Sequence, residues 1–129
     1  MTEKSQKHFT ILVVEDEPVI SQVCRRALES EYEVTLAPDG HAATEVLQYK
    51  TFDICLIDIR TPRMNGEELF HWIKNNRPEM LSGIIFTTGD VISNNTDNFL
   101  AGTNHPYLPK PFSPGELTEV VKKVVLSLP

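Results

Sequence analysis

The chain has 129 residues, of which 40% are hydrophobic and 23% charged, a composition typical of one globular domain rather than of a disordered segment. Its formal net charge of −6 argues against direct binding of nucleic acid, because phosphate backbones are bound by basic surfaces. The sequence has no apolar run of about 18 residues, so we predict no membrane span. The polar leader, residues 1–8, lacks the apolar core of a signal peptide, and we therefore expect a cytoplasmic protein.

The predicted domain, residues 9–127, begins with a strand and a helix. Residues 9–14 form a continuous apolar run, which is typical of a strand buried on both faces. Three acidic residues, 15–17, follow this strand, and Pro18 then suits the first turn of a helix. One face of that helix is expected to be buried, and it consists of Ile20, Val23, Cys24, Ala27 and Leu28.

Strands and helices continue to alternate through the middle of the chain. Residues 32–37 alternate well enough for a second strand, and a Pro-Asp-Gly turn leads from it into a second amphipathic helix. Residues 53–57 are expected to form a third strand, and residues 83–87 a fourth. Between them, Asn65 is expected to cap a third helix that ends at Arg77-Pro78.

The last third of the chain is less regular. Residues 91–105 predict a short, marginal helix, because a polar run interrupts their apolar residues. Residues 107–108 suit a fifth, short strand, and the final helix is expected to begin with a capping box formed by Ser113 and Glu116. Five alternations of strand and helix indicate one doubly wound α/β domain, with a parallel sheet covered on both faces.

Polar side chains follow four of the predicted strands at the point where each strand ends. They are Glu15 and Asp16 after the first strand, Asp58 after the third, Thr88 after the fourth and Lys110 after the fifth. Because parallel strands end at the same edge of a sheet, we expect these side chains to converge. Three carboxylates repel one another and need a cation, and an all-oxygen ligand set suits Mg²⁺. A hydroxyl and an ammonium group nearby suit the oxygens of a phosphoryl group, so the pattern indicates a phosphorylatable aspartate, Asp58.

With these residues in place, residues 8–127 resemble the receiver domain of two-component response regulators. The matching motifs are Glu15-Asp16, Asp58 followed by Pro62 and Met64-Asn65-Gly66, Thr88-Gly89, and Tyr107 shortly before Lys110-Pro111. The spacing of these motifs along the chain also fits that family. The resemblance implies a flavodoxin-like fold, in which a five-stranded parallel sheet of order 2-1-3-4-5 carries five helices.

The resemblance also implies a reaction and a cofactor. Asp58 would take a phosphoryl group from the phosphohistidine of a histidine kinase or a histidine phosphotransfer domain. Mg²⁺ would be held by Asp16, Asp58 and the backbone carbonyl of Arg60, with Glu15 acting partly through water. The domain would not be an enzyme beyond catalysing its own phosphorylation and dephosphorylation.

A switch is the third implication of the resemblance. Thr88 and Lys110 would hold the transferred group, and Thr88 and Tyr107 would move in response to it. That movement would alter the face built from the fourth helix, the fifth strand and the fifth helix, which is also a candidate homodimer interface. A cis peptide bond between Lys110 and Pro111 is a further expectation from the family.

Some segments point to a particular kind of receiver. Residues 83–90, 99–100 and 108–112 resemble receivers fused behind sensor histidine kinases more than those that precede transcription-factor domains. We therefore favour a piece of a hybrid kinase over a stand-alone receiver.

Four residues near the acceptor depart from the usual pattern. We predict that Arg60 and Asp90 form an ion pair that restricts the attacking water. Thr61 and Arg63 replace apolar or small residues, and we predict that they tune the choice of kinase.

Three rival functions fit the sequence less well. A degenerate receiver that acts only as an interaction module is disfavoured by the intact Asp58, Thr88 and Lys110. A phosphatase of the haloacid dehalogenase class needs a second aspartate two residues after its nucleophile, where this chain has Arg60. A flavodoxin-like cofactor binder needs a phosphate-cradling loop after the first strand, where acidic residues stand instead.

The cysteines and histidines carry no pattern of their own. Cys24 and Cys55 lie in apolar segments, so neither a disulfide nor a zinc site is expected. The four histidines lack metal-ligand spacing and are predicted to lie on the surface: His8, His41, His71 and His105.

Overall fold

The computed structural model describes residues 8–89 and 94–129, with side chains described from residue 98 in the second range. The described residues form five strands and five α-helices in alternation. The strands are β1 (Thr10–Val14), β2 (Glu33–Ala37), β3 (Ile54–Asp58), β4 (Ile84–Thr88) and β5 (Tyr107–Pro109). The helices are α1 (Pro18–Leu28), α2 (Gly40–Leu47), α3 (Gly66–Asn76), α4 (Asn94–Thr103) and α5 (Pro114–Ser127). Most of the predicted leader and residues 90–93, which include Asp90, lie outside the described residues.

The strands pair in parallel in the order β2-β1-β3-β4-β5, which confirms the expected flavodoxin-like sheet. Strands β1 and β3 lie side by side at the point where the strand order changes direction. In doubly wound sheets, ligands bind in the crevice at the carboxyl ends of these two strands. None of the helices within the described ranges is both long and apolar enough to cross a bilayer.

Two hydrophobic cores lie on opposite faces of the sheet. Alternate residues of β1 and β3 point into each core, which explains why these strands are continuous apolar runs. The first core packs the sheet against α2, α3 and α4, and the second packs it against α1 and α5. Cys55 belongs to the first core and Cys24 to the second, and burial raises the pKa of each thiol to about 12.

The predicted helix signals are present in the structure. The side chain of Asn65 accepts a hydrogen bond from the amide of Glu68, and the backbone N–H of Asn65 donates to the carboxylate of Glu68 in return. Ser113 and Glu116 form the same kind of capping box at α5. The helix at Asn94–Thr103 is ten residues long, where a short helix was predicted. A 3₁₀-helix, Pro78–Gly83, follows α3 and was not predicted, since Pro78 ends an α-helix but suits the first turn of a 3₁₀ one.

Strands β3, β4 and β5 each end one residue later than predicted. Strand β3 includes Asp58 and β4 includes Thr88, and Asp58 pairs with Thr87 across the two strands. The backbone of Asp58 is therefore held by sheet pairing as well as by the loop after it. This register fixes its backbone more firmly than a loop position would.

The prediction that all four histidines lie on the surface is wrong for His105. Its ring is half-buried, with its centroid 5.5 Å from that of Phe70 and 6.1 Å from that of Phe86. Its Nε2 lies 2.8 Å from the carbonyl oxygen of Leu81, and its Nδ1 lies 3.0 Å from that of Thr103. Helical and strand periodicity carries no signal for this position, because His105 belongs to the loop between α4 and β5.

Gly83 provides a direct test of the fold. A Cβ atom at this position would overlap the backbone carbonyl oxygen of Asp53, which no side-chain rotation can relieve. We expect Gly83→Ala to lower the free energy of unfolding by about 2 to 3 kcal/mol, as overpacking of a rigid site does. Urea unfolding followed by circular dichroism would measure this loss.

Gly102 supplies the matched control for that experiment. A Cβ there would meet no atom within 4 Å, and Gly102 lies in α4. Gly102→Ala should therefore leave stability unchanged or raise it slightly, because alanine favours helix. Equal stability losses in the two variants would contradict the packing found around Gly83.

Candidate functional site

The carboxyl ends of the central strands bring three predicted site residues into direct contact. Glu15 follows β1, Asp58 ends β3 and Lys110 follows β5. The ammonium nitrogen of Lys110 lies 2.8 Å from Oε1 of Glu15 and 3.0 Å from Oδ2 of Asp58. Both carboxylates are buried, so these charges meet at the floor of the crevice rather than on open surface.

Both oxygens of Asp58 have a donor. Oδ2 accepts from the ammonium group of Lys110, and Oδ1 accepts from the backbone N–H of Arg60 at 3.0 Å. These two bonds fix the plane of the carboxylate. The remaining approach to it is from the crevice, where Asp58 is one of the lining residues.

Glu15, Asp16 and Asp58 form a cluster of oxygen donors. One carboxylate oxygen from each of the three lies within 4.8 Å of the other two. Glu15 and Asp58 are buried, while Asp16 is exposed at the crevice mouth. Oxygen-only donors that keep one side open to water fit Mg²⁺, which retains part of its hydration shell in proteins.

Burial and charge pull in opposite directions on the residues of this cluster. Burial raises the pKa of Glu15 above its ordinary value, although the hydrogen bonds from Lys110 and from the Glu17 amide lower it. Burial by itself lowers the pKa of Lys110, but its bonds to Glu15 and Asp58 raise the pKa by more than burial lowers it, so the net shift is upward. Lys110 is therefore charged at neutral pH, and the negative charge on Glu15 depends on it.

Thr88 and Tyr107, the two predicted switch residues, lie at opposite ends of the β4–β5 pairing. Thr88 pairs with Pro109, and its carbonyl oxygen accepts a hydrogen bond from the backbone N–H of Lys110 at 2.9 Å. Tyr107 pairs with Phe86 and is half-buried. Thr88 is thus hydrogen-bonded directly to Lys110, and the short strand β5 connects Lys110 to Tyr107. The Lys110–Pro111 peptide bond is cis.

The crevice opens into a cleft of about 630 Å³ with one polar and one apolar side. The apolar side was missed by the sequence reasoning, which assigned Ile20 and Val23 to the buried face of α1. Both residues are half-buried, and they line the cleft because α1 starts at the crevice mouth. Helical periodicity identifies the apolar face of a helix, but it does not show whether a given turn of that face packs against the core or lines a cleft. The apolar lining consists of Ile20, Val23, Pro111 and Phe112.

Arg60 also lines the cleft, with an exposed side chain. Its predicted partner, Asp90, lies outside the described residues, so the ion pair between them stays a prediction.

Removal of Lys110 should expose the cost of burying Glu15. We expect Lys110→Met in magnesium-free buffer to lower the free energy of unfolding at pH 7 by about 2 to 3 kcal/mol, because the buried carboxylates of Glu15 and Asp58 are left without their cation. Because the pKa of Glu15 is raised in the folded state, the folded protein binds this proton more tightly than the unfolded chain does. A lower pH therefore offsets part of the stability that the variant loses. The deficit should therefore shrink as the pH falls from 7 to 5 in urea unfolding experiments.

The double variant Glu15→Gln, Lys110→Met is the control for this prediction. It removes one of the two buried anions together with the cation, so that only Asp58 then lacks a cation, and it should recover part of the lost stability at pH 7. A deficit in Lys110→Met that does not depend on pH, or no recovery in the double variant, would contradict the pairing.

Comparison with known proteins points to one family. The model of the response regulator receiver domain matches residues 11–122, which is most of the chain. The alginate biosynthesis transcriptional regulatory protein AlgB of Pseudomonas aeruginosa is 34% identical over 118 residues, and the heme response regulator HssR of Staphylococcus aureus is 31% identical over 115. These alignments cover 91% and 88% of this chain but 26% and 50% of the two relatives. The chain thus spans half or less of the length of the curated relatives it matches.

A solved structure resembles the fold closely. It is the receiver domain of a sensor histidine kinase from Pseudomonas aeruginosa PAO1, with a magnesium ion coordinated in its active site cleft. The two are 30% identical and superpose with a TM-score of 0.82, and the match covers 94% of this chain and 100% of the other. Receivers of transcriptional regulators and of a sensor kinase therefore both resemble this chain. Its sheet order, its crevice and these matches together show that the chain belongs to the response regulator receiver domain family of two-component signalling.

Proposed function

We propose that this receiver domain accepts a phosphoryl group on Asp58 from the phosphohistidine of a histidine kinase or a histidine phosphotransfer domain. The observation that supports this most directly is the position of the Asp58 carboxylate. It is buried, held between the ammonium group of Lys110 and the amide of Arg60, and faces an open cleft. The other members of the site can then be assigned roles in one transfer step.

In that step an oxygen of Asp58 attacks the phosphorus atom. A new P–O bond forms while the P–N bond to the donor imidazole breaks, and its electron pair stays on the imidazole nitrogen, which can take up a proton. Lys110 offers its charge to the oxygens of the transferred group, and the hydroxyl of Thr88 is assigned to a second oxygen. The domain acts on no other substrate and catalyses only its own phosphorylation and dephosphorylation.

Mg²⁺ is the cofactor of this proposal. Asp16, Asp58 and the backbone carbonyl of Arg60 would hold it, with Glu15 contributing partly through water. Once bound, the ion offsets the negative charge of the acidic cluster and of the phosphoryl group. The oxygen cluster of the site and the magnesium in the cleft of the similar kinase receiver support this assignment.

The apolar side of the cleft suits the partner protein. Ile20, Val23 and Phe112 stand beside the polar site and are only partly buried, so they can be covered by apolar side chains next to the donor histidine. A helix that carries a phosphohistidine among apolar residues would satisfy both sides of the cleft. No nucleic acid enters this proposal, in keeping with the net charge of −6.

Phosphorylation is proposed to act on the face formed by α4, β5 and α5. Thr88 would move toward the phosphoryl oxygen, and the hydrogen bond that its carbonyl oxygen accepts from the Lys110 amide links that movement to β5. Tyr107, at the start of β5, would then change its side-chain orientation. This is a shift between two existing states, and the altered face is a candidate surface for homodimer formation.

Chemical phosphorylation tests the proposal. Incubation with acetyl phosphate and Mg²⁺ should add the mass of one phosphoryl group to the wild-type chain, and Asp58→Asn should abolish the addition. The control is Asp53→Asn, which replaces an aspartate just before β3, at the strand's other end, and should be labelled like wild type. Intact mass spectrometry provides the measurement.

The outcomes separate the proposal from its rivals. Equal labelling of wild type and Asp58→Asn would overturn the assignment of the acceptor. No labelling by acetyl phosphate, together with no response to beryllofluoride, would favour an interaction module instead. Release of many phosphates per chain from a phosphomonoester would favour the phosphatase.

Arg60 is predicted to influence the lifetime of the phosphoryl group. Its side chain lies at the cleft mouth, where it can restrict the water that attacks phosphorus. We expect Arg60→Ala to accelerate dephosphorylation by about two- to fivefold, the range expected for loss of an exposed ion-pair interaction. The decay of phosphorylated protein would be followed by mass spectrometry, with Arg60→Lys as the control. An unchanged dephosphorylation rate in Arg60→Ala would contradict this role of Arg60.

A further inference from the structure

The loop that follows the phosphoacceptor strand, residues 59–65, adopts an unusual backbone conformation. We call it the acceptor loop. Arg63 has a φ of 54° and Met64 a φ of 109°, although neither is glycine. Positive φ brings Cβ close to the backbone, so two such residues in succession store strain that surrounding contacts must offset. Those contacts come from the start of α2.

One contact is made by the carbonyl oxygen of Met64. It accepts a hydrogen bond from the amide of Gly40 at 3.1 Å and another from the hydroxyl of Thr61 at 3.0 Å. Any residue with a Cβ at position 40 would overlap this oxygen, so the close approach requires glycine. Thr61 is itself buried. The strained turn is thus docked on the first residue of α2.

The second contact is an ion pair. Nε of Arg63 lies 3.2 Å from Oδ2 of Asp39, whose side chain is buried. The other oxygen of Asp39, Oδ1, caps α2 by accepting a hydrogen bond from the amide of Ala42 at 2.8 Å. Asp39 therefore fixes the helix with one oxygen and the acceptor loop with the other.

The same loop carries groups of the phosphorylation site. The backbone N–H of Arg60 donates to Oδ1 of Asp58, and the amide of Gly66 closes the loop by donating to the carbonyl oxygen of Ile59 at 2.9 Å. Any displacement of the strained half of the loop would be passed to the backbone of Arg60, because only three bonded residues separate it from Met64.

We propose that the Asp39–Arg63 ion pair is a positioning element for the phosphorylation site. It holds the strained acceptor loop against α2, and so keeps the backbone of Arg60 oriented toward Asp58 and toward the cation. Arg63 acts at a distance and does not touch the reacting atoms. This inference rests on the proposed function, since the loop is given its role by phosphorylation at Asp58.

The test compares variants by two independent readouts. Arg63→Ala and Asp39→Asn each remove the ion pair, and asparagine keeps an oxygen for the amide of Ala42. Arg63→Lys retains a cation and should rescue. Lys74→Ala is the matched control, because it removes an exposed cation from α3 without touching the loop.

The first readout is the hydrogen-exchange protection of the Gly40 and Gly66 amides, measured by NMR without Mg²⁺. The second is the Mg²⁺ dissociation constant from NMR titration. In Arg63→Ala and Asp39→Asn we expect protection to fall and the dissociation constant to rise, each by roughly two- to fivefold, the range for an ion pair with one exposed partner. The double variant should lose no more than either single one, since both remove the same interaction.

The outcomes are distinct. Unchanged protection in Arg63→Ala would show that the pair does not hold the loop. Reduced protection with unchanged Mg²⁺ binding would reduce the pair to a local structural contact, and additive effects in the double variant would disprove the coupling. If the wild-type domain took neither Mg²⁺ nor a phosphoryl group, the proposed function would fail, whereas the exchange data would still decide whether the pair orders the loop.

Discussion

A single ammonium group shared by two buried carboxylates is the interaction on which this site depends. Lys110 bonds to Glu15 and to Asp58 at the carboxyl end of the sheet. Without it, two anions would lie close together in a region of low dielectric constant, which costs several kcal/mol. The Asp58 carboxylate is thus oriented by a partner whose ammonium group can also bind phosphate oxygens. An anionic group bound at Asp58 would compete with Glu15 for that ammonium group. Binding of such a group would therefore change the ion pair between Lys110 and Glu15 as well.

The fold and the polar part of the site could be predicted from the sequence, because apolar periodicity marks the strands and helices and characteristic residues mark their ends. Apolar runs located the strands, and parallel strands end at one edge, so Asp58 and Lys110 could be placed together although many residues separate them. The cap residue Asn65 located the start of α3 and the capping box of Ser113 and Glu116 located that of α5, since capping depends only on local sequence. These features follow from spacing alone.

Other features could not be predicted, because they depend on how elements meet in space. Ile20 and Val23 belong to an apolar helix stripe whether that stripe faces a core or a cleft, and only the position of α1 decides between them. His105 was expected at the surface, yet the packing of the α4–β5 loop against Phe70 leaves its ring half-buried. The pairing of Asp39 with Arg63 depends on two positive φ angles, which no residue pattern in the loop indicates.

The separation of the two hydrophobic cores has a consequence for how such a domain can diverge. The sheet divides the residues around Ile20 and Phe112, which face the cleft, from those around Phe70 and Phe99 on the other face. Substitutions in layers that share no contacts contribute nearly additively to stability. Substitutions on the face of the sheet that borders the cleft can therefore create new preferences for partner proteins, while the core on the opposite face keeps its packing. A duplicated copy could acquire its own signalling partner by this route without first having to rebuild its interior.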